Sequence, residues 1–292
     1  MAERVVVRAP AKLNLVLRVG RRADDGYHPI ASLMVALDGL EDEVALARAP
    51  VRRLVCPGAP QGPDNLAWRA LDAMEAHTNR PLAAEITITK RIPMQAGLGG
   101  GSSDAAAVLV GVNDLFGLGL SASALEAIGA TLGSDVPFFV RGGTQWATGR
   151  GERLVRHGVP RDLWALVCGP VASLSTGDVY CAFDELGAAR DLDLDPPFGG
   201  WAGAPWVTND LWPAARLLAP ALDHTAGELL RAGAQTALLC GSGGAIAGLW
   251  SDRHGAEAAA AVIDTARAVV CPSAPRAPRA PNAPSAADAT DG

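Results

Sequence analysis

Lysine is nearly absent from this chain. Of its 25 basic residues 23 are arginine, which leaves only Lys12 and Lys90. Tyrosine is as scarce, with Tyr27 and Tyr180 alone. The five cysteines, Cys56, Cys168, Cys181, Cys240 and Cys271, are odd in number, widely spread and contain no C-x-x-C pair. Their spacing argues against a disulfide framework and a structural zinc site. Five scattered histidines without an H-E-x-x-H pattern argue against a protein-held transition metal. No run approaches the roughly 18 apolar residues of a membrane span. Met1-Ala2-Glu3-Arg4 leads straight into an apolar stretch without a signal-peptide pattern. A net charge of −6 lacks the basic excess that nucleic acid or a membrane surface demands. The expectation is a cytoplasmic protein with neither of those partners.

What is present is material for a large core. The 292 residues are 49% hydrophobic and 19% charged, which excludes global disorder and allows one large domain or two medium ones. Apolar periodicity predicts strands at Arg4–Ala9 and Leu13–Val19, joined through Pro10-Ala11-Lys12. Further strands are expected at Leu33–Leu37 and Val44–Ala47 around a turn at Asp38–Asp42, and at Ile86–Thr89. Helices are expected over Asn65–His77 with Asp64 as N-cap, over Asp104–Phe116 with Ser102 or Ser103 at its start, and from a capping box at Ser123-Ala124-Leu125-Glu126. The second half reads as strand Trp164–Cys168, helices around Val179–Leu186 and Leu222–Ala232, strands Thr236–Cys240 and Ala245–Trp250, and helix Arg253–Ala268. Strands and helices mix without strict alternation, which points to an α+β fold. Pro272–Gly292, rich in Pro and Ala, has nothing to bury and is expected to be a disordered tail.

The strongest local signal is Pro93-Met-Gln-Ala-Gly-Leu-Gly-Gly-Gly-Ser-Ser-Asp-Ala-Ala106, between a strand and a helix. Four glycines in five residues let the backbone turn tightly and approach a ligand. Open N–H groups at the helix start then face the concavity, so the expected guest is a phosphate. The segment is neither a Walker A motif, which needs a Lys, nor a dinucleotide fingerprint, which needs a third glycine where Ser102 stands. No H-R-D or D-F-G set of a protein kinase occurs. Two shorter motifs accompany it: Pro10-Ala11-Lys12-Leu13-Asn14, and Gly133-Ser134-Asp135-Val136-Pro137 between a helix end and an apolar run. A chain that uses Arg almost throughout has a physical reason for a Lys where a compact, rotatable ammonium is required. For Lys90 that reason and chance retention weigh equally. Lys12 with Asp135 is an acid–ammonium pair of the kind that deprotonates or positions a hydroxyl nucleophile.

Taken in order, these motifs resemble the GHMP kinase superfamily, which includes galactokinase, homoserine kinase and mevalonate kinase. The resemblance is carried by Pro10-Ala-Lys-Leu-Asn14, Arg21-Arg-Ala-Asp-Asp-Gly-Tyr-His28, Asp64-Asn65-Leu66, Lys90-Arg-Ile-Pro93 running into Gly97–Ser103, and Gly133–Pro137. It continues through Leu174-Ser-Thr176, Val179-Tyr180, Asn209-Asp-Leu211 and Cys240-Gly-Ser-Gly243. Gly26-Tyr27-His28 and the triple glycine are similar to one branch, whose substrate is a small molecule carrying a cytidine diphosphate group in the non-mevalonate route to isoprenoids. The resemblance implies transfer of the ATP γ-phosphate to a substrate hydroxyl, with ATP and Mg²⁺ as cofactors. It implies Asp135 as catalytic base and Lys12 as the group that orients it. Pro93, Met94, Gln95, Ala96, Gly97, Leu98, Gly99, Gly100, Gly101, Ser102 and Ser103 would cradle the phosphates, with Asn65 near the nucleoside end. Tyr27, His28 and Tyr180 would build the cytidine pocket, with Asn14 and Thr176 as polar contacts. No acidic pair flanks the loop, so no residue is assigned to Mg²⁺.

The implied architecture has two lobes with the site in the cleft between them: an ATP-binding domain over 1–155 and a second kinase domain over 156–271, followed by the tail 272–292. The expected state is a monomer or weak homodimer. The alternatives are another GHMP kinase, of homoserine or mevalonate type, and a non-catalytic nucleotide-binding member. Two departures from the family pattern stand out, Gln95-Ala96 where glycines are commoner and Gly244 where Pro, Ala or Ser is.

Overall fold

A single strand, β1 (Arg4–Val19), runs through the segment expected to be broken at Pro10-Ala11-Lys12. The computed structural model describes residues 3–158, 162–197, 199–264 and 270–272. After β1 come β2 (Ile30–Arg48), β3 (Arg53–Val55), α1 (Leu66–Thr78), β4 (Ala84–Thr89), α2 (Gly100–Phe116), α3 (Ala122–Ala130), α4 (Val136–Arg141), β5 (Thr144–Gly149) and β6 (Arg153–Arg156). The second half supplies β7 (Trp164–Cys168), α5 (Thr176–Glu185), β8 (Thr208–Asn209), α6 (Trp212–Leu218), α7 (Ala221–Arg231), β9 (Thr236–Leu239), β10 (Ile246–Trp250), α8 (Arg253–Ala260) and β11 (Val270–Pro272).

Among the described residues the strands form two sheets. In the larger, β3-β4-β2-β1-β8 are hydrogen-bonded in that order, with β5 also on β2 and β6 on β5; the smaller runs β11-β7-β10-β9. Alternating side chains divide three cores between them. In β7, Ala165 and Val167 face the core between the sheets, while Leu166 and Cys168 face the helices of the second half. In β10, Ala247 and Leu249 alternate in the same way with Ile246 and Trp250. The third core lies between the larger sheet and α1–α4, with Val7, Val44, Leu46 and Ile86 against Leu71, Val108 and Phe138. The fold is α+β, as expected. No helix among the described residues is long and apolar enough to cross a membrane.

The breaks expected in β1 and β2 are one irregularity. Antiparallel pairing jumps from Pro10 opposite Glu41 to Lys12 opposite Ala36, so Leu37–Leu40 bulge out of a continuous strand. Gly39 takes a left-handed φ of 87° there. Turn-forming residues at Asp38–Asp42 make a bulge rather than a hairpin because β1 supplies partners on both sides of it. The shift also changes face. Val5, Val7 and Ala9 lie on the helix side, and beyond it Ala11, Leu13 and Leu15 lie between the sheets. Lys12 and Asn14, opposite Ala36 and Met34, thereby turn toward the helices.

Several local expectations are corrected. Asn65, not Asp64, caps α1, its side chain accepting from the Ala67 N–H. Ser121, not Ser123, caps α3 through the Ala124 N–H. At α2 the N-cap is Gly99, and Ser102 and Ser103 fall inside the first turn. The helix expected to reach Ala268 ends at Ala260, and 265–268 lie outside the described residues. Pro272, read as the first tail residue, pairs with Trp164 in β11, while the rest of the tail, 273–292, lies outside the described residues.

Candidate active site

The glycine segment leaves β4 and curls into α2. Gly97 and Gly99 have φ of 76° and 73°, a region where a side chain is strained. A Cβ on Gly97 would lie 1.7 Å from the Cys240 carbonyl oxygen, and one on Gly243 2.1 Å from the Gly97 nitrogen. The loop and the second glycine turn, 241–244, therefore pack backbone on backbone. No side chain caps α2, so its first N–H groups stay open to an anion. A cleft of about 300 Å³ beside them is lined by Asn65, Lys90, Pro93, Met94 and the loop through Gly101. A larger hollow of about 560 Å³, around Trp201, Trp206 and His157, holds none of the residues that the motifs single out.

Both departures from the family pattern belong to this packing. Gln95 is left-handed at φ 57°, and its side-chain oxygen accepts from Ser173 Oγ at 2.5 Å. The Gln95 carbonyl accepts from the Gly244 N–H at 3.2 Å. A Cβ on Gly244 would lie 1.7 Å from the Ala172 carbonyl oxygen, which is why glycine stands there.

Lys12 lies between the loop, the glycine turn and Asp135. Its N–H donates to the Leu98 carbonyl at 3.0 Å, and a Cβ on Gly241 would lie 3.1 Å from its Nζ. The ammonium donates to Asn14 Oδ1 at 2.5 Å and stands 3.8 Å from Asp135 Oδ2. Asn14 is held in turn, since its Nδ2 donates to Ser32 Oγ and that hydroxyl donates to the Val16 carbonyl. Asp135 precedes α4, whose Phe138 and Phe139 are buried, so its carboxylate sits at the edge of the core and is about one-third exposed. The register shift opposite the β2 bulge is what brings Lys12 and Asn14 to this side.

The residues expected to hold cytidine lie mostly on the other side of Asp135. The His28 ring is buried and lies 5.2 Å from the Tyr180 ring. Its Nδ1 is 2.9 Å from the Gly20 carbonyl, which can only accept, so Nδ1 carries a proton; Nε2 faces Asp184 at 3.3 Å. Burial, helped by the Asp135 charge, pushes the Tyr180 phenol up to about 12. Tyr27 is exposed, with the Arg150 guanidinium 4.0 Å over its ring, and Arg150 pairs with Asp25 at 2.5 Å. The next residue is in reach of the proposed base, because a Cβ on Gly151 would lie 4.0 Å from Asp135 Oδ1. Thr176 shares a 2.9 Å hydrogen bond with Ser242 of the glycine turn. Asn65 lines the cleft with both polar side-chain atoms engaged, by the Ala67 N–H and the Pro60 carbonyl.

Residues to which the motif reading gave no role complete the picture. Lys90 donates to Asp42 at 2.5 Å and to Asp104 at 2.7 Å beneath the loop. Burial pushes the Asp104 carboxyl up to about 7, against the pull of Lys90. The same burial opposes the Lys90 ammonium, yet the two carboxylates hold it above the ordinary lysine value. The scarcity of lysine marked Lys90, whereas Arg150 is one arginine among 23 and carries no mark.

Comparison with known proteins follows the same residues. The sequence pattern of the GHMP kinases N terminal domain matches residues 65–143. A 4-diphosphocytidyl-2-C-methyl-D-erythritol kinase of Geobacter sulfurreducens is 40% identical over 262 residues, covering 88% of this chain and 94% of that one. A crystal structure of a 4-(cytidine 5'-diphospho)-2C-methyl-D-erythritol kinase is 34% identical with a TM-score of 0.75, covering 91% of this chain and 98% of the other. A homoserine kinase from Cytophaga hutchinsonii has a TM-score of 0.71 at 20% identity over 96% of this chain and 98% of that one, a likeness of fold alone.

Proposed function

Since the chain belongs to the 4-diphosphocytidyl-2-C-methyl-D-erythritol kinase family of the GHMP kinases, we propose how its residues divide the work of that reaction. The enzyme is a small-molecule kinase that transfers the ATP γ-phosphoryl group to the 2-hydroxyl of 4-diphosphocytidyl-2-C-methyl-D-erythritol. The homoserine-type, mevalonate-type and non-catalytic alternatives are not favoured, because relatives near 40% identity over most of the chain bear the name of this kinase. Residues 1–155 would supply the ATP side and 156–271 the second wall of the cleft.

In this reading ATP lies along the 300 Å³ cleft, with its phosphates on the loop Pro93–Ser103 and the open N-terminus of α2. The cytidine end of the substrate lies by Tyr27, His28 and Tyr180, and its hydroxyl reaches Asp135. Asp135 accepts the hydroxyl proton as the oxygen bonds to the γ-phosphorus and the bond to the ADP oxygen breaks. Lys12, donated to Asn14 and facing Asp135, orients the carboxylate and offsets negative charge gathering on the transferred group. Its place between loop and base is the observation that carries the proposal. An arginine fork would be crowded here, where even a Cβ added to Gly241 would lie 3.1 Å from the ammonium.

Among the described residues no group of three or more His, Cys, Asp or Glu could cage a metal. This suits Mg²⁺ as an ion carried on ATP, which keeps phosphate and water ligands and needs only one or two carboxylates. No carboxylate of the chain is assigned to it, since Asp135 is kept for the substrate proton. Bound with ATP, the ion would neutralise phosphate charge. A coupled ADP-release assay comparing 4-diphosphocytidyl-2-C-methyl-D-erythritol with homoserine and mevalonate tests the assignment. Turnover is expected with the first alone, and equal turnover with homoserine overturns it.

A further inference from the structure

The loop that meets the phosphates begins and ends on one buried charge cluster. Asp42 stands on β2 opposite Ala9, at the rim of the bulge, and its side chain has no exposed surface. One of its oxygens accepts from the backbone N–H groups of Arg91 (2.5 Å) and Ile92 (2.8 Å), the last residues before Pro93. The other accepts from Lys90 at 2.5 Å. Lys90 also donates to Asp104 Oδ2 at 2.7 Å, and Asp104 lies in the opening turns of α2, just past Ser103. The ammonium is close to the loop itself, since a Cβ on Gly100 would lie 3.3 Å from its Nζ. Asp104 Oδ1 and Ser103 Oγ are buried without a hydrogen-bond partner among the described residues.

We propose that Asp42, Lys90 and Asp104 are positioning residues for ATP: a clamp that fixes both ends of the phosphate loop, so that its N–H groups and the α2 N-terminus point at one place. The geometry gives each member a separate task. Asp42 fixes the entry of the loop through two backbone donors. Asp104 fixes its exit. Lys90 joins the two, and its single ammonium can donate to both carboxylates at once, where a planar guanidinium would have to spread them. Three charges in a buried site are poor evidence for stability, because desolvation offsets much of their attraction. Registry of the loop is the better reason for them: Ala96 and Leu98 pack the middle of the loop into the core, but Gly99–Gly101, where it turns into α2, have no side chains to hold that turn. The clamp rests on the reading that ATP phosphates occupy this loop.

The experiment measures kcat, KM for ATP, KM for the cytidine substrate and Tm on the full chain. Lys90→Met and Asp104→Ala are expected to raise the ATP KM on the order of 10- to 100-fold through misplaced donors. The cytidine-substrate KM should stay within about threefold, a fraction of a tenfold energy step. Asp104→Asn keeps an acceptor for Lys90 and is expected to recover most of the loss. Equal shifts in both KM values, an unchanged ATP KM in folded Lys90→Met, or an Asn variant no better than Ala would each overturn the clamp. If Lys90→Met does not fold, the Asp104 pair decides by itself. Gly101→Asp separates the clamp from the reading beneath it, because Gly101 has open space, its nearest side-chain atom being 3.9 Å from the Cβ position. The added carboxylate repels phosphate at the loop. An unchanged ATP KM in that variant removes ATP from the loop, whereas a raised one with normal Lys90 and Asp104 variants removes the clamp alone.

Discussion

Lys12 and Asp135 face each other at 3.8 Å, too far for a hydrogen bond and near enough for each charge to feel the other. The ammonium donates to Asn14 at 2.5 Å and makes no hydrogen bond to the carboxylate, which keeps its oxygens for a substrate proton. Asp135→Asn keeps the shape and removes the proton acceptor, and kcat is expected to fall about 10²- to 10⁴-fold with the ATP KM little changed. A fall of less than tenfold would show that positioning alone drives transfer. Lys12→Arg should also lose most activity, and near wild-type rates would make the ammonium incidental.

Tyr180 lies against His28, 5.2 Å between ring centres, so the two form one aromatic wall. Tyr180→Ala is expected to remove roughly 1–3 kcal/mol of base stacking. That corresponds to about 5- to 150-fold in the cytidine-substrate KM, with the ATP KM moving far less. Tyr180→Phe should be mild because the ring does the stacking. Comparable losses for both substrates with a lower Tm would instead make Tyr180 a packing residue of the second-half core.

Asp104 gives a pH signature. Its carboxyl titrates near 7 when folded against about 3.8 as the ordinary value, with burial as the main cause. The folded state therefore holds a proton that the unfolded chain releases between those values, so this group's contribution to stability falls as pH rises from about 4 to 7 and is constant above. Asp104→Asn, which imitates the protonated form, should gain Tm over wild type by a few degrees at pH 8 and little at pH 5. Parallel Tm curves across that range would show that Asp104 does not titrate there.

Gly244 admits no side chain. Gly244→Ala puts a methyl where the Ala172 carbonyl stands and should cost about 1–3 kcal/mol of overpacking, or roughly 3–10 °C in Tm. Thermal melting checks this. A neutral substitution would mean that the 169–172 segment can yield.

The glycine loop and its helix were legible because glycine runs and a following apolar helix have few other uses. Lys12 and Asp135 were legible as motifs, but their meeting was not: it depends on the bulge between Pro10 and Lys12, and a change of strand face is invisible until the partner strand is known. The Asp38–Asp42 turn signal was real, but β1 pairs on both sides of it and converts a hairpin into a bulge. Asn65 displaced Asp64 as cap because either residue type can fill that position. Asp42, 48 residues before Lys90, joined the loop only through tertiary pairing.

β11 has a consequence for the outer rim of the smaller sheet. Its three residues pair with β7, which would otherwise end the sheet on that side. On the opposite side Asn209 donates to the carbonyl of Leu239 in β9. Both rims are thus partly sealed against templated pairing with another chain. A chain cut before Val270 would bare the peptide groups of Trp164–Leu166, and self-association into higher-order aggregates, rather than loss of chemistry, is the fault to expect of it.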